Sequence, residues 1–170
     1  MTARSYTSNK GFTLIELLVV IGILAILLAI TLIAINPARQ FGQANDTARR
    51  SAATQILNAI GQYTATNGGN LPAEVLNGNY GAQNTVPLAL NSTNFPNLCG
   101  QLVPSYLPAL PVDPNGQDQN GIEAADCANG LPTANPVVPW DTQYQVLKDA
   151  NNRITVIAPN AYAGPIQVTR

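Results

Sequence analysis

Few side chains in this sequence could perform chemistry. The chain has 170 residues and no histidine. Without histidine there can be no Ser-His-Asp triad, no Cys-His pair and no His-ligated metal. The phosphate-binding patterns GxxxxGK[ST] and GxGxxG are also missing. An enzyme would need a carboxylate pair or a Ser-Lys site, so the composition argues against an ordinary enzyme, and we expect no catalytic residues and no cofactor.

Two cysteines and one oxygen-rich segment are the remaining candidates for a chemical site. Cys99 and Cys127 could form a disulfide, stay as free thiols or bind a soft metal, although no further metal ligands cluster beside them. Residues 113–120, DPNGQDQN, carry oxygen atoms of the kind that calcium prefers. The segment has no glycine at its sixth position and no closing glutamate, so it does not match an EF-hand. We predict a solvated turn there and no metal site.

One acidic residue lies inside a long apolar segment near the amino terminus. Residues 12–35, FTLIELLVVIGILAILLAITLIAI, contain Glu16 as their only charge. From Leu14 to Ile35 a helix would rise about 33 Å, enough to cross the hydrocarbon core of a bilayer. The segment is too long for the core of a cleaved secretory signal, which has about 7–15 residues. A plain anchor would not carry an acid, and a chain of this size could not bury a helix that is apolar on all sides.

The string KGFTLIELLVVIGILAIL, residues 10–27, resembles the class III signal and N-terminal helix of type IV pilins and type II secretion pseudopilins. The resemblance implies that a membrane-embedded prepilin peptidase cuts between Gly11 and Phe12 on the cytoplasmic face and then N-methylates Phe12. It also implies that Glu16 sets the register between subunits by pairing with the amino group of a neighbour. The two basic residues of the leader agree with a cytoplasmic amino terminus.

The sequence divides into four segments. The resemblance implies that residues 1–11 are a cytoplasmic leader that is removed, and that residues 12–36 are the transmembrane and filament-core helix. Asn36 and Pro37 predict a break with an immediate helix restart, because asparagine caps helices and proline favours their first position. An amphipathic helix follows over residues 37–67, and residues 68–170 form a globular region of Asn/Gly/Pro-rich loops and a small β-sheet.

The amphipathic helix has an apolar face that we expect to pack mainly on the chain's own globular region. Arg49 and Asp46 are predicted to lie off this face. The face consists of residues spaced by three or four, namely Phe41, Ala44, Ala48, Ala52, Ile56, Ala59 and Tyr63, widened by Ala53, Leu57 and Ile60.

Strand signals are concentrated in the last thirty residues. Residues 143–158 predict a β-hairpin with a turn at 149–152, and residues 165–169 predict a short third strand. Residues 68–142 show no clear periodicity, and their prolines exclude a long helix. The expected fold class is α+β, with a long N-terminal helix packed on a small antiparallel sheet, as in pilins.

These observations together predict a structural subunit of a type IV pilus-like filament. Its expected partners are further copies of itself, prepilin peptidase, the assembly machinery and the membrane. It would be a single-pass protein of the cytoplasmic membrane before assembly, and part of a cell-surface or periplasmic filament afterwards. With a net charge of −1, no nucleic acid is expected as a partner.

Alternatives within and beyond the family remain open. In an exported chain Cys99 and Cys127 are expected to pair. That pair, and the lack of an acidic, glycine-rich calcium loop after the hairpin, favour a pilin. The LVPSYLPALPVDPNG segment, residues 102–116, resembles a stretch that follows the helix in many pseudopilins and favours a pseudopilin of a type II secretion system. A minor pilin or a membrane-anchored module for adhesion or DNA uptake is a further possibility.

Overall fold

The computed structural model describes residues 11–81, 84–116, 120–129 and 139–170. The predicted leader, except Gly11, and residues 117–119 of the oxygen-rich segment therefore lie outside the described residues. The chain divides into two units, residues 1–40 and residues 41–170.

The first unit contains helix α1, Leu14–Ala34, in which every residue is exposed. This helix is long and apolar enough to cross a membrane. The helix ends before Asn36, whose side-chain oxygen accepts a hydrogen bond from the Arg39 amide at 3.3 Å. Helix α2, Pro37–Thr66, begins at the next residue, so the predicted break at Asn36 and Pro37 is confirmed.

Helix α2 supplies one wall of the core of the second unit. Its buried apolar residues lie in its second half and are Ala52, Ala53, Ile56, Leu57, Ala59 and Ile60. The predicted face is therefore correct from Ala52 onwards, whereas Phe41, Ala44 and Ala48 are exposed. The helix ends where Gly68 and Gly69 adopt positive φ angles of 66° and 86°, a backbone conformation that glycine adopts at little cost.

Among the described residues, four antiparallel strands form one sheet in the order β1-β2-β3-β4. They are β1 (Leu88–Asn91), β2 (Asp141–Lys148), β3 (Ile154–Ala158) and β4 (Ile166–Thr169). Strands β2 and β3 form the predicted hairpin, and β4 is the predicted third strand. The α+β fold expected from the sequence is thus confirmed, with one strand, β1, that the sequence analysis missed.

The described part of the irregular region between α2 and the hairpin contains three short helices. They are α3 (Ala73–Leu76), α4 (Leu98–Leu102) and α5 (Ala124–Asn129). Apolar side chains of these helices and of the loops between them join α2 and the sheet in one core, with Phe95, Leu98, Leu102 and Leu110 fully buried. The Asn/Gly/Pro-rich region is therefore packed against the sheet and α2, although its sequence has no regular periodicity.

Candidate functional site

The amino-terminal residues singled out by the sequence lie together at the start of α1. The Glu16 amide hydrogen-bonds to the Thr13 hydroxyl at 3.3 Å, and the Glu16 Oε2 atom accepts bonds from the Thr13 amide and hydroxyl, each at 2.8 Å. This reciprocal arrangement is a capping box, which satisfies amide groups at the helix start. Thr13 therefore provides hydrogen bonds to the Glu16 carboxylate, which lies in the first turn of an otherwise apolar helix.

Gly11 lies two residues before Thr13, the cap residue. A Cβ atom added at Gly11 would meet nothing within 4 Å. No contact within the described part of the chain therefore demands glycine at this position. Phe12, the next residue, is 85% exposed, so the Gly11–Phe12 peptide bond is open to a partner.

The surface of α1 has no cover within the described structure. All 21 of its residues are exposed, and only Glu16, Gly22 and Thr31 among them are not aliphatic. Monomeric soluble proteins rarely expose contiguous apolar patches larger than a few hundred Å². An exposed apolar helix of this length fits a membrane-anchored protein.

A second cluster, in the globular unit, centres on Arg49 and corrects a sequence prediction. Arg49 was predicted to lie off the packed face of α2, yet it is only 1% exposed. Its Nε and Nη2 atoms donate to the two carboxylate oxygens of Asp113 at 2.7 and 2.8 Å, and Nη1 donates to Asp46 at 3.0 Å. A forked guanidinium that meets a carboxylate in this bidentate way satisfies both groups after burial.

Asp113 also corrects the predicted solvated turn, because it is 1% exposed. Its amide donates to the Thr142 carbonyl at 3.0 Å, which ties the proline-rich segment to β2. Burial opposes ionisation of Asp113 most strongly, but hydrogen bonds from Arg49 and the Asn115 amide together outweigh it, so the pKa of Asp113 lies below its ordinary value. The same Asp113 contacts raise the pKa of Arg49, against the opposing effect of burial.

Asp46 joins a loop to this cluster. The amides of Tyr162 and Ala163 donate to its two carboxylate oxygens at 2.8 and 3.1 Å. These bonds, chiefly the one from Tyr162, lower the pKa of Asp46. Asp46, Arg49 and Asp113 therefore fix the first half of α2 to two loops and, through Asp113, to the sheet.

Cys99 and Cys127 form a disulfide that links α4 to α5. Their Cα atoms are 5.3 Å apart, and both side chains are buried in the core. The bond closes a loop across a sequence separation of 28 residues. A role for these cysteines as free thiols or metal ligands is thereby excluded in this structure.

The described residues contain no group of three or more cysteine, aspartate or glutamate side chains arranged to hold a metal ion. Within the oxygen-rich segment, Asp113 is committed to Arg49, and the Asn115 side-chain oxygen accepts a bond from Asn45 at 3.3 Å. The side-chain oxygens of Asp113 and Asn115 therefore attach this segment to α2. The feature of the described structure that is best suited to bind a partner is the exposed apolar surface of α1.

The comparison with protein families identifies the amino-terminal segment. Residues 6–32 match the family model described as a prokaryotic N-terminal methylation motif. Searches of curated proteins and of solved structures found no match to the chain. The matched range includes Gly11, Phe12, Glu16 and most of α1. The chain therefore carries the prepilin-type signal of type IV pilins and pseudopilins.

Proposed function

We propose that this protein is a structural subunit of a type IV pilus-like filament. The observation that carries the proposal is that α1, which begins inside the methylation motif, is apolar and has no buried residue. A bilayer would cover this helix in the free subunit, and neighbouring copies of α1 would cover it in the filament. The motif points to a structural subunit family rather than to an enzyme.

Prepilin peptidase would act on the precursor before assembly. Gly11 is exposed, and no contact within the described structure requires glycine at this position. This supports the proposal that it is the peptidase that requires glycine before the cleaved bond. Cleavage after Gly11 would leave α1 attached and create a new α-amino group at Phe12. The same enzyme would then methylate that amino group.

Glu16 would set the axial register between subunits. Its Oε2 atom is bonded to Thr13, whereas Oε1 has no hydrogen-bond partner among the described residues. Oε1 is therefore available to the amino group of a neighbouring subunit. An unpaired carboxylate among packed apolar helices is energetically costly. The axial offset between subunits that brings the Glu16 carboxylate to a neighbour's amino group would therefore be favoured over other offsets.

The test compares Glu16→Leu with Thr31→Leu. Each change replaces a polar side chain of α1 with an apolar one, but Thr31 bonds only to the Leu28 carbonyl of its own helix. We expect Glu16→Leu to insert and to be cleaved normally yet to give few or no filaments, with Glu16→Gln intermediate or equally poor. Thr31→Leu should assemble like the wild type.

Leader removal is followed by immunoblot and filaments by electron microscopy in the same strain. Normal filaments from Glu16→Leu would disprove the register role. An antibody against residues 70–170 that labels filaments along their length would support a major subunit. Label at the tips alone would instead support a minor pilin or a binding module.

A pseudopilin of a type II secretion system is the second candidate. The observation that favours it concerns residues 102–116, which resemble a pseudopilin segment. The structure gives this segment a defined role, because its Asp113 binds Arg49 of α2 in the core. Deletion of the gene separates the two candidates, since loss of surface pili supports a pilin and loss of protein secretion supports a pseudopilin.

A further inference from the structure

An aromatic side chain is held at the start of α2 by a specific pair of contacts. The Tyr162 loop, residues 159–165 between β3 and β4, bonds to Asp46 through the amides of Tyr162 and Ala163. The Tyr162 ring lies against Gly42, where an added Cβ atom would be only 2.6 Å from the ring. Only a residue without a side chain leaves room for the ring in this position.

The Tyr162 ring is nevertheless exposed, and the residue that precedes Gly42 in α2 is a second exposed aromatic residue. Tyr162 is 60% exposed, and Phe41, which directly precedes Gly42, is 72% exposed. Among the described residues of the second unit, the exposed large apolar side chains are Phe41, Leu76, Val86 and Tyr162. Of these four residues, Phe41 lies in α2 and Tyr162 contacts α2 at Gly42.

The distribution of charged side chains over the Tyr162 loop and α2 suits a phospholipid surface. The Tyr162 loop, PNAYAGP, has no charged side chain. The Asp46 carboxylate beneath it is occupied by three N–H donors, including one from Arg49. Arg50, on the part of α2 that belongs to the second unit, is exposed and forms no ion pair within the described structure. Unpaired basic residues of this kind are attracted to anionic headgroups.

The chain connection keeps this surface within reach of a bilayer. Six residues lie between Ala34, the end of α1, and Phe41, and if fully extended the chain from Ala34 to Phe41 would span at most about 25 Å. The polar region on each side of a bilayer is about 5–8 Å thick. Tyrosine is enriched at this depth because its ring is apolar and its hydroxyl is polar.

We propose that Phe41 and the Tyr162 loop form a lipid-contact surface that rests in the phospholipid headgroup region while the subunit is unassembled. The proposal depends on the proposed insertion of α1 in the membrane. Asp46 and Gly42 act as positioning residues, because they hold the Tyr162 ring outward. The contact would keep the start of the globular unit at the membrane until the subunit enters a filament.

Depth-dependent fluorescence quenching tests this surface on the full chain. The protein is reconstituted in vesicles of phosphatidylethanolamine and phosphatidylglycerol that carry bromine either near the headgroup or near the bilayer centre. The single native tryptophan, Trp140, is first replaced in Trp140→Phe, since its Nε1 atom has no hydrogen-bond partner among the described residues. Tyr162→Trp in this background then places the probe in the proposed surface.

Two matched probes separate this proposal from the proposed function. Leu24→Trp, in the middle of α1, should be quenched most by central bromine and thus reports insertion. Val86→Trp, at an exposed site outside the proposed surface, should not be quenched by either lipid. We expect Tyr162→Trp to be quenched about twofold more by shallow than by central bromine, as for an interfacial aromatic residue.

Three outcomes would overturn the inference. If the Leu24→Trp probe is quenched and the Tyr162→Trp probe is not, α1 is inserted and the lipid surface is absent. Acrylamide, a water-soluble quencher, is used in a parallel measurement. If the Tyr162→Trp probe is shielded from acrylamide only at a high protein-to-lipid ratio, a second copy of the protein covers the surface instead of lipid. If the Leu24→Trp probe is not quenched, membrane insertion itself is refuted, and the lipid surface is refuted with it.

Discussion

The buried pair of Arg49 and Asp113 provides the most direct test of how the globular unit is held together. We predict that Arg49→Met strongly destabilises this unit. Methionine keeps much of the apolar stem of arginine but removes the guanidinium, so Asp113 would remain buried without its charged partner. The Arg49 and Asp113 side chains are 2% and 0% exposed, so water could not replace the lost bonds without a rearrangement.

The size of the effect follows from this burial. Removal of one partner from a buried ion pair costs about 3–5 kcal/mol, because an uncompensated charge is left in the interior. The unit has a single modest core, and domains of this size are stable by only about 5–15 kcal/mol. The variant should therefore lose a large part of its free energy of unfolding.

The assay is urea unfolding of a soluble fragment, residues 38–170, which contains the entire buried core. Arg153→Met is the matched control, because Arg153 also pairs with an aspartate at 2.8 Å but is 64% exposed. Exposed pairs contribute little to stability, so the control should lose much less than Arg49→Met. The double variant of Arg49→Met with Asp113→Asn removes both charges and should cost less than the sum of the two single changes.

Two results would refute this reasoning. If Arg49→Met costs no more than Arg153→Met, the buried pair does not stabilise the unit. If the effects of Arg49→Met and Asp113→Asn simply add, the two side chains do not act as a pair. The dependence of the free energy on urea should have the same slope in all variants, because a changed slope would indicate a different surface exposed on unfolding.

Three further predictions address processing, the disulfide and pH. Gly11→Val should leave the leader attached and stop assembly without preventing insertion, and mass spectrometry of membrane-extracted protein checks this; a mature wild-type chain that starts anywhere other than Phe12 would contradict it. Replacement of Cys99 and Cys127 by serine should lower the stability of fragment 38–170 by about 2–4 kcal/mol, measured by urea unfolding, and leave leader removal unchanged. Because the pKa of Asp113 is lower in the folded than in the unfolded state, its stabilising effect is complete above the ordinary value of 3.8 and is lost as the pH falls through the folded pKa. Acid unfolding of Asp113→Asn should therefore show a weaker loss of stability below about pH 4 than that of the wild type, and identical pH profiles would count against the pair.

The elements that could be predicted from the sequence are those with a local signal. The helix break at Asn36 and Pro37 follows from the capping preference of asparagine and the fixed φ of proline. The hairpin of β2 and β3 follows from alternation, since Tyr144 and Val146 are buried while their neighbours are not. The amino-terminal motif is likewise a run of neighbouring residues, so the sequence alone was sufficient to identify it.

The elements that were missed depend on contacts between distant residues. Strand β1 has only four residues, and its pairing with β2 joins Leu88 to Val146 across the whole irregular region. Such a short strand lacks enough alternation to be recognised by itself. Strand β1 could be recognised only in the folded structure, where β2 provides its hydrogen-bond partners.

Arg49 shows most clearly what only the tertiary structure decided. Helical periodicity assigns a charged residue to the solvent side by default, because an isolated buried charge is unfavourable. The partner that makes its burial possible, Asp113, is 64 residues away in a proline-rich segment with no regular pattern. The sequence determined α1 and its signal through local residue types, whereas the paired charges and β1 required the folded chain to bring distant residues together.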